Sequence, residues 1–229
     1  SDQMTEPLPE DSHPLISYIY EAMDTLNADN VQECFNDILF YREELRNLFN
    51  HGKISLRERS LAERIFWATM TRISQLSKDI QSIAPEMETI DRSLADIYYC
   101  NFSVFQSLPD SWAIGQLFPI MPIHRLDEKP DRNAILADIT CDCDGKIDRF
   151  IDAHRVNRYL PLHELKENEE YFLGVFLVGA YQETSGDLHN LLGYTNVVTV
   201  KITDNGQYEY IYEQEGDTVS QILSYMAYD

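Results

Sequence analysis

Tyr98-Tyr-Cys-Asn-Phe-Ser-Val-Phe105 is where the pattern of the chain changes. Upstream of it, apolar residues return every three or four positions, as on one face of a helix. Here they become a run of aromatic and β-branched residues, the habit of a strand. Helices first and strands afterwards predict an α+β fold with a boundary near Tyr98. The 229 residues, 44% of them hydrophobic, suffice for one large domain or two small ones with separate cores.

Working back from the boundary, Ile16, Ile19, Tyr20 and Met23 form one helical stripe, and Val31, Cys34, Phe35, Ile38, Leu39, Leu45 and Phe49 form a second. His51-Gly52-Lys53 breaks the pattern. Ser55, with Glu58 three residues on, then makes a capping box for a long helix whose buried side runs from Leu61 through Ile65, Phe66, Met70 and Ile73 to Ile80. Pro85 closes that region, and a shorter helix over Met87–Ile97 completes a set of about four, joined by connections short enough for an antiparallel bundle. Pro7, Pro9 and Pro14 keep the opening residues extended. The division is therefore a linker over 1–13, a helical bundle over 14–97 and a β-domain over 98–229.

Forward of the boundary, strands are expected at Tyr98–Phe105, Ala134–Thr140, Lys146–Ile151, Tyr171–Val178, Asn196–Ile202 and Tyr208–Tyr212. Asp204-Asn205-Gly206 joins the last two as a hairpin, because Asn-Gly tolerates the positive φ of a tight turn. The β-domain is mainly antiparallel by this reading, and Asp217–Tyr228 closes it as a terminal helix with a polar cap.

Thirty-nine Asp and Glu against 18 Lys and Arg leave a net charge of -21, which opposes binding to a nucleic-acid backbone or an anionic membrane surface. No apolar run reaches the ~18 residues that a bilayer span needs, and the acidic, Pro-rich start is unlike a secretory signal. A cytoplasmic location is expected. Four scattered cysteines make no disulfide scaffold, so reduced thiols are expected. The chain starts at Ser1 rather than Met, with a segment that reads as a linker, and this predicts the C-terminal piece of something longer.

Chemistry concentrates in Ala137-Asp-Ile-Thr-Cys-Asp-Cys-Asp-Gly145, where a strand runs out into a turn. It sets a thiol, Cys141, beside a carboxylate, Asp142. Metal by motif is not expected. No second Cys or His pair stands at zinc spacing, and counted from Asp142 the Gly is fourth, not sixth as in an EF-hand. On spacing alone, Cys141 reads as a small buried residue at a strand end, with Asp142 and Asp144 as turn residues. Gly174-Val-Phe-Leu-Val-Gly-Ala-Tyr181 reads as a strand ending in a phenol able to bond a phosphate, or as a plain sheet edge. His124 and His189 read as structural or surface groups, and Trp112 as a core anchor.

Together, Cys100-Asn-Phe-Ser-Val-Phe-Gln-Ser-Leu-Pro-Asp-Ser-Trp112, Gln116-Leu-Phe-Pro-Ile-Met-Pro-Ile-His-Arg-Leu126, Ala137–Ile147 and Phe176-Leu-Val-Gly-Ala-Tyr-Gln182 resemble the C-terminal part of the biosynthetic arginine decarboxylases. The likeness runs from about Pro7 to the end. It implies a pyridoxal-phosphate-dependent lyase that turns arginine into agmatine, on the route to spermidine and other polyamines, and it leaves room for magnesium as a second cofactor. The resemblance also implies that this chain is the helical insertion and β-domain of such an enzyme, without the N-terminal barrel that carries the cofactor lysine. None of the lysines here is assigned to that role. By the same resemblance the Cys-Asp pair is offered across a homo-oligomer interface into the partner's active site. Cys141 is the proton donor, Asp142 holds the cationic end of arginine, Asp144 is a second candidate for that end, and Tyr181 faces the cofactor phosphate. The isolated chain is expected to be inactive. A related stand-alone regulatory or assembly module is the alternative. Cys143 stands where the family has Ser, which leaves open whether it replaces Cys141. Phe102 stands where the related ornithine enzymes carry Asp.

Overall fold

The computed structural model describes residues 12–77, 88–152 and 156–228. The chain divides into two compact units, Ser1–Leu94 and Ala95–Asp229.

The first unit holds α1 (Pro14–Asp24), α2 (Val31–Asn50), α3 (Leu56–Ser77) and α4 (Glu88–Ser93). Its core follows the sequence stripes: Ile16, Ile19 and Met23 from α1 meet Cys34, Phe35 and Ile38 from α2 and Ile65, Phe66, Met70 and Ile73 from α3. The capping box forms, with the Ser55 N–H donating to Glu58 Oε2 (2.7 Å) and the Glu58 N–H to Ser55 Oγ (3.2 Å). The other Glu58 oxygen accepts from the His13 N–H (3.1 Å), so one carboxylate ties the starts of α1 and α3 together. Pro14 is not part of an extended tether. It is the first residue of α1, where its missing N–H would have had no helical partner. α4 is shorter than expected, because Asp96 already begins a strand. Pro7, Pro9, Ile80, Pro85 and Met87, used above to set boundaries, lie outside the described residues.

In the second unit, β1 (Asp96–Tyr99) lies parallel to β3 (Arg132–Ala137), with Asp96 opposite Ala134 and Tyr99 opposite Ala137. Parallel neighbours need a long crossover, which here carries α5 (Val104–Ser107), α6 (Pro109–Ala113) and β2 (Ile120–Pro122). On its other edge β3 pairs antiparallel with β4 (Lys146–Ile147) and β7 (Leu160–Leu162). Alternation along β3 buries Ala134 and Leu136 against Val104, Leu108, Phe118, Ile147, Phe150 and Leu162. The remaining strands pair antiparallel as β5 (Phe150–Ile151) with β6 (Val156–Asn157), β2 with β8 (Leu173–Val175), and β9 (Val197–Ile202) with β10 (Tyr208–Gln214). The Asn-Gly hairpin is present, with Gly206 at φ 78° and the Thr203 N–H bonded to the Gln207 carbonyl. The terminal helix is α8 (Val219–Tyr225), and Thr218 and Gln221 cap each other.

Several expected strands are shorter or divided. Tyr98–Phe105 is strand only to Tyr99, because Ser103 accepts the Gln106 N–H and starts α5. Lys146–Ile151 splits into β4 and β5, which belong to different sheets. The run from Gly174 to Tyr181 leaves the strand after Val175. Leu177 takes a left-handed φ of 59°, and Tyr181 falls in α7 (Ala180–Thr184). Trp112 is no core anchor: it stays 54% exposed, edge-on to Phe105 at 5.1 Å.

Candidate functional site

The turn after β3 is built around one buried carboxylate. Asp138 is 3% exposed and closes three bonds: Oδ2 accepts from the Val104 N–H at the start of α5 (2.9 Å), and Oδ1 accepts from the Thr140 N–H (2.9 Å) and hydroxyl (2.7 Å). Its own N–H donates to the Gly145 carbonyl (2.8 Å), so the two ends of the turn meet. Gly145 is required there, since a Cβ at that position would stand 2.1 Å from Asp138 Oδ1. Asp138 thereby converts the end of β3 into an outward loop, and Cys141, Asp142, Cys143 and Asp144 are all exposed on it. Cys141 is thus not the buried small residue that spacing alone allowed.

Within the loop, Asp142 Oδ1 accepts the Asp144 N–H (2.9 Å), a side-chain turn of the kind Asp favours. Asp144 also lines a cleft of about 320 Å³ with Trp112, Gln116, Lys146 and Arg149. Cys141 has a different neighbour: the side-chain amide of Asn190 donates to its Sγ at 3.0 Å. All four cysteines are free. Burial pushes the Cys34 thiol up to about 11, with Asp37 adding to the effect, and burial also raises Cys100.

Asp142, Cys143 and Asp144 bring ligand atoms within 4.8 Å of one another, and among the described residues they are the group of three that a metal could join. All three are exposed. Two carboxylates and a thiol are a poor match to the all-oxygen octahedron that magnesium prefers.

Tyr181 stands on α7, 78% exposed. That short helix is fastened by Gln182, whose Oε1 accepts from the Asp110 N–H (3.1 Å) and whose Nε2 donates to Asp110 Oδ2 (2.6 Å). Gly179, before it, faces open space. One phenol in such a setting can donate one hydrogen bond to a phosphate, and it is not by itself a cradle for a cofactor.

His189 packs its ring 4.5 Å from Phe105, and His124 lies 5.2 Å from Phe172, in keeping with structural roles. His163, which the sequence did not single out, is 2% exposed. It places Nδ1 2.7 Å from the Tyr171 hydroxyl and Nε2 3.1 Å from the Glu128 carbonyl. The two residues that shape the Cys-Asp loop, Asp138 and Asn190, had no assigned part in the sequence reading. Asp138 carried a signal, an Asp two residues before a Thr at a strand end, the pattern of a side-chain-capped turn. Asn190 carried none, since it meets Cys141 across 49 residues of chain.

Residues 9–91 match the arginine decarboxylase helical bundle domain. Over 96% of its length the chain is 50% identical to the biosynthetic arginine decarboxylase of Phocaeicola vulgatus, of which it covers 35%. It is 48% identical to that of Bacteroides thetaiotaomicron over 98% of its length, again covering 35% of the relative. The crystal structure of the biosynthetic arginine decarboxylase from Campylobacter jejuni resembles it with a TM-score of 0.78 at 35% identity, across 97% of this chain and 35% of that one. The chain therefore spans about a third of the length of the curated relatives it matches. Among the described residues, no helix is long and apolar enough to cross a membrane.

Proposed function

Since the chain belongs to the biosynthetic arginine decarboxylase family, in the part that holds the helical bundle and the β-domain, we propose that it supplies half of an active site whose other half lies in the remaining two thirds of such an enzyme. The observation that carries this reading is the loop at 138–145. A buried Asp138 and an obligatory Gly145 hold a thiol and two carboxylates outward, on a chain of strongly acidic charge. Such an arrangement suits a cationic substrate and a proton donor.

The roles follow from the chemistry of the side chains. Asp142 takes the guanidinium of arginine, which a carboxylate can bind through two parallel hydrogen bonds, with Oδ1 keeping its Asp144 N–H as well. Asp144 is a second carboxylate for the same charge. Cys141 gives its Sγ proton to the carbon that has lost carbon dioxide, which fixes the product as agmatine. Pyridoxal phosphate, when bound by the barrel of the whole enzyme, would supply the electron sink for loss of the carboxylate. Tyr181, exposed on α7, would offer its hydroxyl as a hydrogen-bond donor to the phosphate of that group. The exposed loop becomes a closed pocket only when the barrel covers it, at the interface of a homo-oligomer in the cytoplasm.

The test is reconstitution. The chain with pyridoxal phosphate and carboxyl-labelled arginine should release no carbon dioxide above a buffer control. Adding the missing barrel as a second polypeptide should restore release together with agmatine. Cys141→Ala should lower agmatine relative to misprotonated by-product, and Asp142→Ala should raise the arginine concentration needed. Activity in the chain alone, or a reconstituted enzyme indifferent to both substitutions, would overturn the proposal.

A further inference from the structure

Asn190 sits in the loop between α7 and β9, and that loop is clamped onto α5. The Asp187 N–H donates to the Phe105 carbonyl (3.1 Å), and the His189 ring packs on Phe105. Gly186 passes so close to the Gln106 carbonyl that a Cβ would stand 2.1 Å from its oxygen. A bridge between His189 and Leu192 closes the tip. Asn190 and Leu191 both adopt left-handed backbone, φ 55° and 60°, which Asn tolerates well and Leu does not. The clamp overcomes that cost, and the result is that the Asn190 amide is aimed at one atom, Cys141 Sγ, at 3.0 Å.

A side-chain NH2 only donates, so the sulfur is the acceptor. A thiol accepts weakly and a thiolate strongly, because a hydrogen bond to a charged group is worth more than one to its neutral form. We infer that Asn190 is the positioning residue of Cys141: it holds the sulfur in one rotamer and stabilises the thiolate left when the proton departs. The inference rests on the proton-donor reading above. In that step the S–H bond breaks with its electron pair staying on sulfur, the carbon that lost carbon dioxide supplies the pair of the new C–H bond, and water later returns a proton to Sγ. The contact also separates the two thiols of the loop. Cys143 receives no such donor among the described residues, so Cys141 is the functional one.

The experiment has two arms. In the first, the chain itself is treated with limiting iodoacetamide near neutral pH, and the labelling of Cys141 against Cys143 is located by fragment-ion mass spectrometry. Because the thiolate is the species that reacts, Asn190→Ala should lower the Cys141-to-Cys143 ratio by about threefold, the lower range of one hydrogen bond. Asn190→Asp keeps the shape and the tolerance of positive φ while replacing the donor by a like charge, and it should lower the ratio further. A ratio unchanged or raised in both variants overturns the pairing. In the second arm, the reconstituted enzyme carrying Asn190→Asp should lose agmatine to by-product without a matching rise in the arginine requirement. A loss seen only as weaker arginine binding overturns the positioning role. If labelling shifts as expected while Cys141→Ala leaves the products unchanged, the contact stands and the proton-donor reading is the one that fails.

Discussion

Replacing Asp138 by Asn tests whether the Cys-Asp loop depends on a buried carboxylate or merely on a side chain of that shape. Both oxygens accept: Oδ2 from the Val104 N–H, Oδ1 from the Thr140 N–H and hydroxyl. Whichever way an Asn amide is turned, its NH2 faces a donor, so at least one bond is lost and Val104 or Thr140 is left opposing it. Val104 is fully buried. An orphaned buried N–H costs about 1–3 kcal/mol, and each bond to Thr140 is worth ~1 kcal/mol, while the substitution removes the cost of burying a charge. The balance for Asp138→Asn is a loss of about 2 kcal/mol, and for Asp138→Ala about 3 kcal/mol, since all three bonds go. With a urea slope of ~2 kcal/mol/M, the midpoint should fall by about 1 M and 1.5 M respectively. The unfolding should be followed by Trp112 fluorescence in a Trp67→Phe background, because Trp112 lies against Phe105 in the same unit as the loop. Asp142→Asn, on the exposed side, should move the midpoint by less than ~0.3 M. An Asp138→Asn midpoint within ~0.3 M of the parent would refute the double-acceptor account.

Three further outcomes are expected. Ile65→Ala, at a fully buried site in α3, should cost about 2–5 kcal/mol of the helical unit's stability, read from Trp67 fluorescence in urea; a loss under ~1 kcal/mol would show the bundle to be loosely packed. Glu58 is held below the ordinary carboxyl value of 4.5 chiefly by the Ser55 N–H and hydroxyl, against a small opposing effect of burial. A lowered folded value means its contribution is present above the unfolded value and disappears as pH falls through the folded one. The gap in melting temperature between the parent and Glu58→Gln should therefore be open at neutral pH and close in acid, and a pH-independent gap would contradict the cap's charge. Finally, with its thiol raised to about 11 by burial, Cys34 should resist iodoacetamide at pH 8 in the folded chain while Cys141 and Cys143 react; labelling of Cys34 on the same timescale would mean that α2 opens readily.

The helical stripes, the Ser55–Glu58 cap, the Asn-Gly hairpin and the capped terminal helix were all legible in the chain, because each is a pattern among residues within a turn or two of one another. The division of Lys146–Ile151 between two sheets was not, nor was the helical start at Ser103. Both depend on which partner a short apolar run meets, and a run of aromatic and β-branched residues looks alike whether it continues a strand or leaves it. Tyr181 shows the same limit, since a left-handed Leu177 ends its strand where composition alone would extend it.

For the Cys-Asp loop, the order of residues determined which groups are present and that a strand runs out into a turn there; that Gly145 is required became visible only with Asp138 turned inward against it. Spacing alone made Cys141 a small buried residue at a strand end, and only the resemblance to the arginine decarboxylases gave it a reactive role. Exposure of the loop follows from Asp138 turning inward to satisfy Val104, a residue 34 positions away, and the hydrogen bond that sets Cys141 apart from Cys143 comes from Asn190, 49 positions away. Contacts of that span leave no periodicity to read. The first exists because a buried donor, the Val104 N–H, must find an acceptor; the second joins two exposed side chains that only the packing of the 185–196 loop on α5 brings within 3.0 Å.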